Sequence, residues 1–238
     1  GTVPAWVVRM RIFIGVDPRD AVSYNVLQWS IVRRSSQPVA ICPLVLPQLG
    51  FKRQGLTHFT FTRYLVPMVS GYQGKSLFLD SDMLCLGDIS ELFAIDFPDP
   101  VAVVKNKERF EWPSMMMFNN ELCTNLTKNW LEDETTKPYA LDWARSIGEL
   151  PAEWNHCVGW DEERDDAKLV HYTTGTPGFK ERRSCEYAWE WHEELKSMNS
   201  QVSWLEIHGK SVHRDRVLKE LWQESPQKQP SNQPSKAG

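Results

Sequence analysis

Short apolar runs alternate with amphipathic stretches along this chain. Ile12-Phe13-Ile14-Gly15-Val16 has no charged position and predicts a strand buried on both faces. Asp17-Pro18-Arg19-Asp20 then reads as a turn and helix cap. Val22, Val26 and Trp29 recur on one helical face, and Arg33-Arg34 suit the last turn. Val39 to Leu46 predicts a second strand, and its prolines place it at a sheet edge or end it early. Phe61 to Val69 reads as a helix kinked or interrupted at Pro67. The apolar run Leu77-Phe78-Leu79 stops at Asp80-Ser81-Asp82, and Asp88-Ile89-Ser90-Glu91 then opens a helix in the manner of a capping box with Asp at the cap. Val101 to Val104 and Met115 to Phe118 are further strands. Glu121 to Leu131 is a helix with Leu122, Leu126 and Trp130 in one row, and Lys168 to Tyr172 is a late short strand. Two amphipathic helices, Cys185 to Met198 and Asp215 to Glu224, precede a Pro/Gln/Ser/Lys-rich tail that cannot bury apolar area. Alternating β and α units predict one α/β domain over residues 1–224, with residues 225–238 disordered.

The place where an apolar strand meets two carboxylates carries the first chemistry. In an open α/β sheet the ligand crevice lies beyond the carboxyl ends of the strands, so Asp80 and Asp82 deliver hard anionic oxygens to it. Mg²⁺ or Mn²⁺ takes one or two protein carboxylates and completes its shell with water and substrate phosphates, which makes a diphosphate the natural partner.

Bulk properties narrow the classes. The 238 residues are 41% hydrophobic and 24% charged, with a net charge of −4, and offer no polyanion-binding signature, so nucleic acid is not an expected partner. No run of apolar residues is long enough to span a membrane, and no secretory signal is read. Five widely spaced cysteines without a Cys-x-x-Cys pair read as reduced, mostly buried thiols of a cytoplasmic protein, and the sequon Asn125-Leu126-Thr127 as chance.

Phe61-Thr62-Arg63-Tyr64-Leu65-Val66-Pro67, then Lys75-Ser76-Leu77-Phe78-Leu79-Asp80-Ser81-Asp82, then Leu86-Gly87-Asp88-Ile89-Ser90-Glu91-Leu92-Phe93 together resemble the core of the family 8 retaining glycosyltransferases. That family includes glycogenin and bacterial lipopolysaccharide galactosyltransferases. The segments Gly15 to Tyr24, Leu150 to His156 and Lys168 to Gly175 look like a related branch of bacterial and phage glycosyltransferases. The resemblance implies a GT-A fold, a single Rossmann-like domain with a mixed sheet flanked by helices. It also implies transfer of a sugar, with retention, from a nucleoside diphosphate sugar such as a UDP-sugar. The acceptor, a saccharide, lipid or protein, is not specified.

The same resemblance implies a site. Asp80, Asp82 and His171 would hold Mn²⁺ or Mg²⁺. Arg63 would offer its guanidinium fork to the diphosphate-sugar, or else is a helix-surface cation. Gly15, Val16 and Asp17 would face the nucleoside, Asp17 being alternatively a turn aspartate. Ser81 would stand against the donor, and Gly175 and Gly178 could cradle phosphate through their backbone N–H groups. The chain departs from the pattern in several places. The family's lysine after the late His falls on Pro177, with Lys180 nearby but out of register, and Trp112-Pro113-Ser114-Met115 lacks the family's asparagine. Asp142 lies where a residue near the anomeric centre is expected. Trp112, Trp143, Trp154 and Trp160 are candidates for stacking on sugar rings or for core packing, and Met115-Met116-Met117 for a buried strand. Asp161 to Asp166 reads as a solvated acidic loop. Two rivals stand beside the transferase: a haloacid-dehalogenase-type phosphatase with Asp80 as nucleophile, for which Leu84 is the wrong residue, and a non-catalytic sugar-nucleotide-binding protein.

Overall fold

The computed structural model describes residues 10–53 and 55–201. Contacts divide the chain into one unit ending at Leu195 and a second from Lys196 onward. The predicted helix 215–224 and tail 225–238 lie outside the described residues.

Strand β1 (Met10–Gly15) leads through a 3-10 turn, Pro18–Asp20, into helix α1 (Ala21–Arg34). Asp20 caps α1 by accepting from the Ser23 N–H, a contact worth about 1 kcal/mol. The helix buries Ser23, Val26, Leu27, Ser30 and Ile31, whereas Val22 is half exposed, so the packed stripe is rotated from the one read through Val22. Small hydroxyls explain the shift. Ser30 Oγ donates to the Leu27 carbonyl and accepts from the Cys85 N–H, so a polar residue sits in a close interface with its hydrogen bonds satisfied.

Strand β2 (Val39–Leu44) pairs parallel to β1 and lies at the sheet edge, as its prolines require. The expected helix 61–69 is two pieces, a 3-10 turn Thr62–Leu65 and helix α2 (Val66–Val69), with Pro67 in the first turn of α2, where its missing N–H costs nothing. Then come β3 (Lys75–Leu79), β4 (Met83–Cys85), α3 (Ser90–Ala94), β5 (Val101–Val103) and β6 (Met115–Asn119). The N-cap of α3 is Ile89, with no side-chain cap bond; Asp88, one residue earlier, accepts from the N–H groups of Ser90 and Ser36, and Glu91 pairs with Lys168 instead of closing a box.

The expected helix 121–131 is broken, and its last turn alone is α-helical. A 3-10 turn, Asn120–Leu122, is followed by an irregular stretch, and α4 (Lys128–Glu132) restarts at Thr127, which accepts from the Trp130 N–H. Thr127 thereby caps a new helical start, and Asn125 donates to the Trp143 carbonyl, which ties the stretch before it to a neighbouring loop. Strands β7 (Ile147–Glu149), β8 (His156–Cys157) and β9 (Leu169–His171) and helix α5 (Ala188–Gln201) complete the described elements.

The main sheet runs β2-β1-β3-β6-β5-β7. Strands β1, β2 and β3 are parallel, β6 is antiparallel to β3 and β5, and β7 is parallel to β5, so the sheet is mixed. Strands β1, β3 and β6 are buried nearly throughout, and Met115, Met116 and Met117 are core residues. A second small sheet, β4-β9-β8, grows from the end of β3. Because β2 and β3 flank β1 on opposite sides, the chain changes direction across the sheet between β1 and β3. The crevice beyond their carboxyl ends is the topological switch point.

At that end Gly15 lets the Phe59 ring lie against the backbone, since a Cβ there would stand 2.4 Å from Phe59 Cβ. Gly15→Ala is therefore expected to destabilise the protein by about 1–3 kcal/mol, the cost of overpacking. Urea denaturation would show a lower midpoint at unchanged slope, and an unshifted midpoint would mean that Phe59 is free to move.

Candidate active site

Two ladders assemble the site. In the first, Leu79 pairs with Met115, and the Asp80 N–H continues the ladder by donating to the Ser114 carbonyl at 2.9 Å. This brings the turn Arg109–Ser114, with Glu111, beside the aspartates. In the second, His171 lies between Met83 and Cys157 in the small sheet, and Tyr172 donates its N–H to the Asp82 carbonyl. Ligand atoms of Asp80, Asp82 and His171 consequently lie within 4.8 Å of one another, and those of Glu111, Cys157 and His171 do likewise. Nothing in the spacing of Glu111 or Cys157 marks them in the sequence. They reach the site through strand register alone.

Arg63 is the partner of Asp80. Its Nη2 stands 3.0 Å from Asp80 Oδ1 and 3.3 Å from Oδ2, and only the second contact is aligned as a hydrogen bond. Nη1 donates to the Pro113 carbonyl, Nε donates to that of Phe59, and the guanidinium lies over the rings of Phe78 and Phe59. Arg63 is thus a nearly buried clamp rather than a surface cation. Burial pushes the Asp80 carboxyl up to about 7; Arg63 opposes that rise and Asp82 adds to it. His171 Nε2 stands 3.5 Å from Asp82 Oδ1, an ionic contact longer than a good hydrogen bond. Burial would lower its pKa, but the charge of Asp82 and the contact with Cys157 overcome this and hold the imidazole well above its usual value. Burial likewise raises Glu111 and Cys157. Asp80 Oδ1 and Asp82 Oδ1 are buried without a hydrogen-bond donor. A pocket of carboxylates that keeps orphan oxygens beside an imidazole within ligand distance fits a divalent cation of the hard oxygen-binding kind.

The remaining predicted residues lie around this cluster. Asp17 follows β1 on the same sheet end as Asp80 and is buried, but its carboxylate is taken by Arg19, with Nε to Oδ1 at 2.9 Å and Nη2 to Oδ2 at 2.5 Å. The hydrogen bond from the Arg19 side chain holds the Asp17 carboxyl down at about 2, and the guanidinium itself is exposed. Val16 donates its N–H to Leu44, and Ser81 is buried between the two aspartates. The Gly175 N–H is taken by the Tyr172 carbonyl, and its φ of +110° makes the turn that leads to Lys180, which is exposed. Asp142 is exposed, on the loop whose Trp143 packs against Tyr64 and Phe118. Of the other tryptophans, Trp154 is core and Trp112 donates to the Asn106 carbonyl, whereas Trp160 is partly exposed against Phe110.

Sequence reading also missed the asparagines. Buried Asn155 donates to Ser114 Oγ and Asn106 Oδ1, and Asn106 in turn donates to Asp161 Oδ2, which also accepts from the Cys157 N–H. Asp161 is thus a structural anchor rather than part of a solvated run. All five cysteines are free, and Cys85, Cys123 and Cys157 are buried.

With this geometry in hand, comparison with known proteins identifies the class. The chain is 33% identical to Protein CDI of Arabidopsis thaliana over 240 aligned positions, which cover 80% of this chain and 88% of that protein. The model of glycosyl transferase family 8 matches residues 48–137, the segment from Gln48 through Arg63 and the Asp80-Ser81-Asp82 strand to Lys137. In fold the chain resembles the WbbM bifunctional glycosyltransferase, with a TM-score of 0.64 and 15% identity over 92% of this chain, although it spans only 52% of WbbM. It also resembles the galactosyltransferase LgtC, solved with donor and acceptor sugar analogues, at 0.55 and 11% identity, over 79% of this chain and 96% of that one. GlyE of Streptococcus pneumoniae aligns at 0.58 and 14% identity, over 94% of this chain and 66% of GlyE. The fold is that of a GT-A glycosyltransferase. The chain belongs to glycosyl transferase family 8 as a family 8-like member. No described helix is long and apolar enough to cross a membrane.

The buried pair yields a direct expectation. Arg63→Met would leave Asp80 without its guanidinium and should cost about 3 kcal/mol, the scale for removing one partner of a buried ion pair. Adding Asp80→Asn should restore much of the loss in chemical denaturation, and additive effects of the two changes would exclude a direct coupling.

Proposed function

We propose that this glycosyltransferase draws a sugar from a nucleoside diphosphate sugar, a UDP-sugar first, with Mn²⁺ or Mg²⁺ held by Asp80, Asp82 and His171, and transfers it with retention of anomeric configuration. The convergence of two carboxylates with orphan oxygens and one imidazole at the switch point of the sheet carries this reading. When bound, such a cation acts as a Lewis acid on the diphosphate as the sugar departs.

In this reading the chain's own residues divide the labour. Asp82, the more open of the two carboxylates, meets the donor, while Arg63 holds Asp80 in place and damps the repulsion between the aspartates. Asp17 acts through Arg19, keeping that guanidinium at the nucleoside end of the crevice beside the Gly15-Val16 backbone. Ser81 borders the donor, and the turn after His171, through Gly175 and Lys180, lies on the phosphate side. Asp142 remains the candidate on the anomeric side. The acceptor is a saccharide, lipid or protein. Two clefts of about 380 Å³ each, one bordered by Asn106 and Arg164 and one by Tyr172 and Arg182, share Asp161 and Glu163 and are large enough to seat part of one. The phosphatase alternative fares worse, because Asp80 is clamped by Arg63 and the chain belongs to a glycosyltransferase family.

UDP and Mn²⁺ together should raise the melting temperature by more than the sum of their separate effects. Asp82→Asn should abolish that synergy while the ligand-free protein melts normally, and UDP affinity unchanged by EDTA would falsify the metal reading. With a competent donor and acceptor, NMR should show the donor's anomeric configuration kept in the product, and an inverted product would exclude retention.

A further inference from the structure

His171 presents its second nitrogen to a different set of ligands. Nε2 is turned to Asp82, whereas Nδ1 stands 3.7 Å from Cys157 Sγ and 3.6 Å from Glu111 Oε2. A metal bound tetrahedrally, with a sulfur at about 2.3 Å and a nitrogen or oxygen at about 2.0–2.1 Å, sets its S···N and N···O edges at about 3.5 and 3.4 Å. The observed separations match those edges to within about 0.3 Å, a shift that side-chain rotation supplies. The donor set differs in kind from the one across the ring. Thiolate, imidazole and carboxylate suit Zn²⁺ and other thiophilic cations, and on such ligands Zn²⁺ outcompetes Mn²⁺.

We propose that Glu111, Cys157 and His171 form a second metal site, for Zn²⁺ or Cd²⁺, back to back with the carboxylate site and sharing its imidazole. Cys157 is fully buried and Glu111 is the most exposed of the three, so the ion enters past Glu111 and water fills its fourth position. The Cys157 thiol gives its proton to solvent as the metal–sulfur bond forms, and Asp161, bonded to the Cys157 N–H, adds negative charge behind it. A neutral imidazole has one lone pair. A cation on Nδ1 therefore leaves Nε2 carrying the proton, facing Asp82 as a donor and unable to ligate. The two sites exclude each other. The soft site stands on its own geometry, and only this exclusion rests on the donor-site reading.

The test titrates Cd²⁺ into metal-free full-length protein in which Cys42 and Cys185, the two more exposed thiols, are replaced by serine. A thiolate-to-cadmium charge-transfer band should saturate at one ion per chain, persist in Asp82→Asn, weaken at least roughly tenfold in affinity in Glu111→Gln, and vanish in Cys157→Ser. No band, or a band that survives Cys157→Ser, overturns the site. If Cys157→Ser fails to fold, X-ray absorption at the zinc edge of the parent protein decides: one sulfur among the ligands supports the site and a shell without sulfur refutes it. Zn²⁺ should also abolish the joint UDP and Mn²⁺ stabilisation in this parent but not with Cys157→Ser added. Undiminished stabilisation alongside a cadmium band would refute the shared imidazole. A cadmium band with no UDP and Mn²⁺ stabilisation at all would count against the donor reading alone.

Discussion

Three carboxylates, those of Asp80, Asp82 and Glu111, are gathered around one guanidinium and one imidazole at the edge of the core, and much of the surrounding structure serves to tolerate them. Like charges about 4 Å apart repel by about 4 kcal/mol even at an effective dielectric near 20. Arg63 offsets part of this at Asp80, and it is fixed there by carbonyls of Phe59 and Pro113 and by two aromatic rings. Burial above all, with the charge of Asp82, keeps Asp80 raised to about 7 against the pull of Arg63. With three carboxylates facing one guanidinium and one imidazole, the pocket is short of positive charge. A cation relieves that shortage directly.

Placement follows from the sheets. The crevice at the switch point would hold little chemistry if the chain ran on into solvent after β3. It turns instead into a second sheet whose central strand ends at His171, and the β3–β6 ladder draws in the turn carrying Glu111. One imidazole is thereby set between a hard, oxygen-rich wall and a wall with a thiol. Which wall it serves depends on which nitrogen holds its proton.

Ser114, just before β6, accepts from Asn155, which arrives from the turn before β8 and ties the two sheets together. Arg63 and Arg19 pair with aspartates at the same end of the sheet, at Asp80 and Asp17.

The sequence alone determined the alternating β and α order, the strand that delivers Asp80 and Asp82, an edge position or early end for β2 and the buried methionine strand, because each rests on local periodicity or on proline's missing donor. It could not show that residues 121–131 break, since Asn125 is held by the carbonyl of Trp143, 18 residues on, and Thr127 caps a fresh start after it. Nor could it distinguish Arg63 as a surface cation from Arg63 as a clamp, a matter of what lies above its helical turn. Glu111, Cys157 and Asn155 carry no spacing signal at all. They meet His171 and Ser114 across 14 to 60 residues of chain by strand register, which is fixed only when both sheets form.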